Sequence, residues 1–167
     1  MAAPAGKTAA KEVLITRVFD APRELVFRAW TDPDRLRRWY APNGCTLSAF
    51  TGEIRSGGTF HSCIRIPDGT ECWCKGVYLE VVKNERLVYT MRLSDPQGRD
   101  VQTKDTHLSG HSDWPAETTV TVTFENLSGK TKITLHQTVQ EEVAKRTGAY
   151  PSWLQMFDRL AGELAKR

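Results

Sequence analysis

The spacing of hydrophobic residues along the chain changes from a period of two to a helical period and back. Residues 12–19, EVLITRVF, are rich in β-branched and aromatic side chains and predict a first strand. We expect a helix next, capped by Asp20 or Ala21 and with Pro22 in its first turn, where the missing N–H has no cost. Its buried face is predicted from helical spacing and consists of Leu25, Val26, Ala29 and Trp30.

A second short helix is predicted directly after the first. Pro33 disfavours helical geometry at the residue before it, so the first helix should end near Thr31. Leu36 and Trp39 are the predicted inward side chains of the second helix, and the turn-forming residues 41–44 should end it.

The centre of the chain alternates hydrophobic and polar residues between turn signals, which is typical of antiparallel strands. The turn Pro67-Asp68-Gly69-Thr70 is a strong hairpin signal. Residues 94–117 are polar and too long for an ordinary hairpin loop, so we interpret them as a candidate functional flap. The predicted strands are 45–54, 59–66, 71–82, 86–93, 118–127 and 131–139.

The chain finishes with an amphipathic helix. Its apolar stripe is formed by Trp153, Met156, Phe157, Leu160 and Leu164. Its start is open, because residues 141–150 can also form a separate helical turn that ends at Gly148. Strands that follow one another through tight turns, with the helices apart from them, predict an α+β class with an antiparallel sheet.

Composition narrows the function classes. A hydrophobic fraction of 40% and a charged fraction of 26% indicate a folded protein, and we expect a disordered leader at 1–11 and a single domain at 12–167. A net charge of +3, with both signs interspersed, argues against nucleic-acid binding. No apolar run approaches the roughly 18 residues that span a bilayer. The chain has 4 cysteines, too few for a disulfide scaffold, so we expect a cytoplasmic protein with reduced thiols.

Several motifs together resemble one known family. The longest is I-T-R-x-F-D-A-P-x-x-L-V-F-x-A-W-T-D-P-x-x-L-x-x-W at 15–39. The others are Gly57-Gly58, the turn at 67–71, and the segments 76–81, 85–88 and 119–125, followed by Trp153 and Asp158-Arg159-Leu160. The chain is similar to the heat-shock protein 90 ATPase activator-homologue family of the START/Bet v 1-like (SRPBCC) superfamily. Its departures include Tyr40 after Trp39 and the run Cys72-Trp73-Cys74.

This resemblance implies a helix-grip fold, in which a curved seven-stranded antiparallel sheet wraps around the C-terminal helix. The two short helices after strand 1 would close one end through Phe27, Trp30 and Trp39. Such folds often hold a hydrophobic small molecule, lipid or polyketide-like, between the sheet and the helix. We therefore expect non-catalytic binding without a cofactor, by side chains that line this space: Trp39, Phe60, Ser62, Trp73, Tyr89, Met91, Trp153, Met156 and Phe157.

Two other functions stay open at this point. The family name suggests a chaperone-binding module of the stress response, and relatives in the superfamily include cyclases and hydratases. No nucleophile or phosphate-binding motif is present, but Ser62, Glu71 and Gln137 interrupt apolar strand positions and are the candidate acids or bases. An exposed edge strand could pair two copies, so both a monomer and a homodimer are compatible with the sequence.

The cysteines and histidines offer weaker hypotheses. If Asp68-Gly69 forms a two-residue loop, Cys63 faces Cys74, and Cys72 shares a face with Cys74. A zinc site or a redox pair is conceivable there, but C-x-C is not the usual zinc spacing, and small buried hydrophobes are the favoured interpretation. His107 and His111 lie near acidic residues in the flap, and we expect them to be exposed loop side chains rather than metal ligands.

Overall fold

The computed structural model describes residues 11–166 as a sheet packed around helices. Seven antiparallel strands follow the order β1-β7-β6-β5-β4-β3-β2, which confirms the predicted fold class. The strands are β1 (Glu12–Phe19), β2 (Thr46–Gly52), β3 (Thr59–Arg65), β4 (Glu71–Val82), β5 (Arg86–Leu93), β6 (Thr118–Leu127) and β7 (Lys130–Gln140). The helices are α1 (Arg23–Thr31), α2 (Pro33–Leu36), α3 (Glu141–Thr147) and α4 (Ala149–Ala165).

The two short helices form as the prolines predict, with one correction. Pro22 itself is the N-cap of α1, and no side chain among residues 11–166 caps this helix, so the expected caps Asp20 and Ala21 lie two residues and one residue too early. Asp32 separates the helices because its extended backbone ends α1, and its side chain accepts a hydrogen bond from the Asp34 N–H of α2 (3.0 Å).

The C-terminal segment forms two helices. Gly148 ends α3 with φ of 92°, a left-handed conformation that glycine adopts without strain, and α4 begins at the next residue. The separate helical turn before Gly148 is therefore confirmed. Phe157 of α4 packs edge-on against Phe19 of β1, with 5.7 Å between the ring centroids, so the long helix lies against the inner face of the sheet.

An aromatic cluster around Trp30 joins α1 to the sheet and to α4. The Trp30 ring lies 6.2 Å from Phe124 of β6, 6.4 Å from Trp153 and 6.3 Å from Phe157. Trp39 packs on Trp30 at 4.7 Å and is fully buried. The short helices thus close one end of the space between the sheet and α4, as the resemblance implies.

The sequence predicted four strands with their observed bounds and missed the others by only one or two residues at an end. The β3–β4 hairpin is a larger correction. Its loop has three residues, because the Ile66 N–H bonds the Thr70 carbonyl (3.0 Å) and Gly69 adopts φ of 92°. Cys63 consequently faces Trp73 rather than Cys74.

The predicted leader falls almost wholly outside the described residues. Its last residue, Lys11, accepts a hydrogen bond at its carbonyl from the Glu141 N–H (2.7 Å). Within residues 11–166, no helix has the length and apolar character needed to cross a membrane.

Gly76 allows β4, β5 and β3 to approach closely. A Cβ added at Gly76 would lie 1.8 Å from the Thr90 carbonyl oxygen and 2.7 Å from Cε1 of Phe60, whereas one added at Gly162 on α4 would meet no atom of the described residues within 4 Å. Gly76 is therefore required by the space available rather than by its backbone angles.

We expect Gly76→Ala to destabilise the fold by about 3 kcal/mol, the upper end of ordinary overpacking, which lowers the melting temperature by roughly 6–12 °C. Calorimetry against Gly162→Ala provides a matched control, since that change should stabilise α4 by about 0.5–1 kcal/mol. Equal melting temperatures for Gly76→Ala and the unmodified chain would contradict this account of the sheet.

Candidate functional site

A cavity of about 290 Å³ lies between the inner face of the sheet, the start of α4 and the flap. Its walls are mostly apolar and, among the described residues, include no Asp, Glu, Lys or Arg. The wall consists of Tyr40, Pro42, Phe60, Ser62, Ile64, Ile66, Cys72, Cys74, Met91, Leu93, His107, Leu108, Trp114, Gln137, Thr147, Gly148, Ala149, Ser152, Trp153 and Met156.

The sheet wall follows from strand alternation. Successive side chains of a strand point to opposite faces, so alternate residues of β3, β4 and β5 face the cavity, and Ser62 lies opposite Cys74 in the register. The residues between them point outward, and there Arg65 pairs with Glu71 at 2.7 Å. Alternation therefore separates a neutral inner face from a charged outer face.

Gln137 ties the sheet to α4 at the cavity wall. Its side chain is buried on β7, donates to Thr118 Oγ1 (3.1 Å) and accepts from Trp153 Nε1 (2.9 Å). Buried amides are tolerated when they are hydrogen-bonded. This network holds the first turns of α4 at a defined distance from β6 and β7.

Arg159 of α4 binds the loop that follows α2. Its guanidinium donates to the carbonyls of Ala41 (2.6 Å) and Cys45 (3.2 Å), and more distantly to those of Pro42 and Arg38. Tyr40 and Pro42, which line the cavity, belong to this loop. Arg159 thus positions a wall of the cavity without touching it.

The flap contributes His107, Leu108 and Trp114 to the cavity. Leu108 is buried although the surrounding segment is polar. Arg146 of α3 anchors the flap, because it forms an ion pair with Asp113 and donates to Nδ1 of His111 (2.9 Å). The guanidinium holds the pKa of the Asp113 carboxyl below its usual range.

The titratable groups of the cavity favour their neutral forms. Burial raises the pKa of Cys74 to about 12 and that of Cys72 to about 11. Burial also raises the pKa of Tyr40 above its ordinary value, although its hydrogen bond with Tyr89 opposes the shift. Thiols with raised pKa values are poor nucleophiles, so the cavity chemistry is that of neutral side chains.

The structure places five of the nine predicted binding residues on the cavity wall: Phe60, Ser62, Met91, Trp153 and Met156. Their role in binding stays a prediction. The sheet residues among them share the inner face, and the two helical residues lie on the side of α4 that faces the sheet.

The other four predicted residues do not line this cavity. Trp39 is buried beside α1 and donates its Nε1–H to the Ala29 carbonyl (3.0 Å). Trp73 lies on the outward face between Cys72 and Cys74 and stacks on His61 at 4.7 Å. Phe157 is fully buried in the aromatic cluster, and Tyr89 lies one step behind the wall, where its hydroxyl contacts that of Tyr40 (2.8 Å).

The structure also places the candidate metal ligands and the candidate acids or bases. Among residues 11–166, no group of three or more His, Cys, Asp or Glu side chains could hold a metal ion. Glu71 is engaged outside the cavity, with Arg65 and with Trp73 Nε1 (3.2 Å), whereas Ser62 and Gln137 line it. His107 is exposed, as expected, and also contributes to the cavity wall, whereas His111 is half-buried.

Sequence reasoning missed the flap residues and the junction of α3 with α4. A usable signal was the presence of Leu108 and Trp114 in an otherwise polar segment, since apolar side chains in a loop usually have a surface to cover. The small residues Gly148, Ala149 and Ser152 were a second signal, because they leave space where the helix begins.

Comparisons with known proteins agree with this architecture. A protein from Chromobacterium violaceum is 25% identical, with a TM-score of 0.72 over 91% of this chain and 96% of its own. One from Arthrobacter aurescens is 22% identical, with a TM-score of 0.78 over 95% and 88%. The AHSA1 protein from Silicibacter pomeroyi is 19% identical, with a TM-score of 0.73 over 92% and 97%.

A search of curated protein sequences finds no match. The family described as "Activator of Hsp90 ATPase homolog 1-like protein" matches residues 20–165. This match includes the two short helices, all the strands that line the cavity and α4. The chain therefore belongs to the Activator of Hsp90 ATPase homolog 1-like family.

Proposed function

We propose that the protein binds a hydrophobic small molecule, without chemical turnover, in the cavity between the sheet and α4. The observation that carries the proposal is the cavity itself, with its volume of about 290 Å³ and its largely apolar wall. Ligand sites in proteins are typically apolar cavities of about 300–1,000 Å³ with a few placed polar groups.

The volume sets the size of the ligand. A compound with one or two rings, or a chain of comparable size, matches this space better than an intact membrane lipid. Burial of such a compound against Met91, Leu108 and Met156 would remove apolar area from water, which is the main source of affinity.

The groups on the wall favour binding over catalysis. General acid–base catalysis needs a group whose pKa lies near the working pH. Among the described wall residues there is no carboxylate, the thiols are held protonated, and His107 is exposed with its pKa lowered by partial desolvation. The amide of Gln137 already bonds Thr118 and Trp153, so its arrangement is that of a structural tie.

We expect apolar compounds of one or two rings to raise the melting temperature, because a ligand at 100 times its Kd stabilises the native state by about 2.7 kcal/mol, which is roughly 5–10 °C here. Ile64→Trp should reduce the shift, because the larger side chain occupies part of the cavity. A thermal-shift screen with both proteins provides the measurement.

Leu79→Trp is the matched control, since Leu79 is 51% exposed on the outer face of β4. It adds the same ring outside the cavity and should leave the shift intact. Identical ligand shifts in Ile64→Trp and in the unmodified chain would place the binding site elsewhere.

We expect Arg146→Gln to loosen the flap, because it removes the contacts with Asp113 and His111. Hydrogen exchange at 103–116 should become faster and ligand affinity should fall, while the melting temperature changes little, since exposed ion pairs contribute at most about 1 kcal/mol. Lys145→Gln, which removes a neighbouring pair with Glu141 (2.9 Å) on the same helix, is the control.

The same contact predicts a pH dependence. The folded-state pKa of Asp113 is depressed, so its contribution is present above the pKa of the unfolded chain and is lost as the pH falls through the folded-state value. Flap protection should therefore decrease on acidification in the unmodified chain and change less in Arg146→Gln. Equal acid sensitivity in both would show that another group controls the flap.

The family description favours a second candidate, a module that binds a chaperone of the heat-shock protein 90 class. A pull-down with the purified chaperone and a measurement of its ATPase rate test this function. Failure to bind, together with an unchanged rate, would remove it and leave the small-molecule proposal unaffected.

A further inference from the structure

A cluster of polar groups lies at one end of the cavity. Tyr40, Phe60 and Ser62 line both the large cavity and an adjoining small space of about 20 Å³. The walls of the small space also include Trp30, Tyr78 and Tyr89. Residues that carry hydroxyl and indole groups therefore line the small space.

These groups have hydrogen-bond donors in excess. The Tyr40 and Tyr89 hydroxyls share one hydrogen bond of 2.8 Å, so one of their two hydroxyl hydrogens remains to be donated. Trp30 Nε1, which can only donate, is buried and has no partner among the described residues. Unpaired buried donors are rare in native proteins, and each calls for an acceptor.

The size of the small space limits what that acceptor is. About 10–15 Å³ is needed to accommodate one water-sized group, so this space of about 20 Å³ takes a single oxygen atom. Both water and a carbonyl group of a ligand can supply it. Because three of its wall residues also line the large cavity, a ligand lying there can extend a substituent towards the cluster.

The surroundings of the cluster favour a neutral hydrogen-bond acceptor. The walls of both spaces contain no Lys or Arg among the described residues. A carboxylate buried there would lack a cationic partner, which is costly in apolar surroundings. Burial also raises the pKa of Tyr89 well above its ordinary value, so the hydroxyls remain protonated donors.

We propose that the ligand is a neutral apolar compound bearing a carbonyl group, and that this carbonyl accepts hydrogen bonds at the cluster formed by Tyr40, Tyr89 and Ser62. This inference rests on the proposed function and adds the chemical class of the ligand. The apolar part lies against the remaining wall of the cavity, and the carbonyl determines its orientation.

Three probes of similar shape test the inference by equilibrium dialysis: 2-acetylnaphthalene, 2-isopropylnaphthalene and 2-naphthoate. The readout is the ratio of dissociation constants. We expect the ketone to bind about tenfold more tightly than the hydrocarbon, since one or two net hydrogen bonds contribute about 0.5–1.5 kcal/mol each. The naphthoate anion should bind most weakly.

The double variant Tyr40→Phe/Tyr89→Phe should reduce the ketone-to-hydrocarbon preference to about threefold or less, since it leaves only the Ser62 hydroxyl of the cluster as a donor. Tyr150→Phe makes the same chemical change outside both cavities and should keep the full preference. Ser62→Ala provides an independent variant with no ring to repack, and it should also lower the ratio.

The outcomes separate this inference from the proposed function. Equal binding of ketone and hydrocarbon would refute the carbonyl anchor, assign the small space to water and leave apolar binding in place. Tighter binding of naphthoate would overturn the neutral class. Binding of none of the three probes would overturn both proposals.

Discussion

The packing of Trp30 between the sheet and α4 is the contact on which the cavity depends. The wide, rigid indole lies against rings of β6 and α4, so it sets the separation of helix and sheet at that end. Large side chains follow along α4 at Trp153, Phe157 and Leu160 and complete this packing. At the helix start the residues that line the cavity, Ala149 and Ser152, are small, and the same separation leaves open space. A size gradient along one helix therefore produces both the core and the cavity.

The polar groups between the sheet and the helices differ in whether their hydrogen bonds are satisfied. Gln137 is satisfied by Thr118 and Trp153, and such a closed network stabilises a defined spacing without attracting a ligand. The hydroxyl cluster around Tyr40 and Tyr89 is only partly satisfied, with an unpartnered indole donor beside it. The first arrangement belongs to the architecture, and the second is the one suited to recognition.

Most strand bounds could be predicted because period-two alternation is a local property of the sequence. The β3–β4 register could not, because Pro67-Asp68-Gly69-Thr70 is compatible with two loop lengths, and the choice of the three-residue loop moves Cys63 to the other face. The site was harder still. Trp73 is a large aromatic residue, but its side chain points away from the cavity. Leu108 lines the cavity although it belongs to a flap in which hydrophobic residues have no regular spacing. A cavity forms where no side chain fills the space between elements, and residue type alone does not show where this happens.

The turn at Pro67–Gly69 accordingly influences chemistry as well as shape. In the observed register, Arg65 and Glu71 pair on the outer face, as do Lys75 and Asp100 at 3.2 Å, whereas Ser62 and Cys74 face each other inside. A slip of one residue would turn charged side chains inward, because every residue of the strand changes face. Gly69 adopts the left-handed conformation that the three-residue loop requires. The neutrality of the cavity, and hence its suitability for an uncharged ligand, thus depends on a turn that does not touch the cavity.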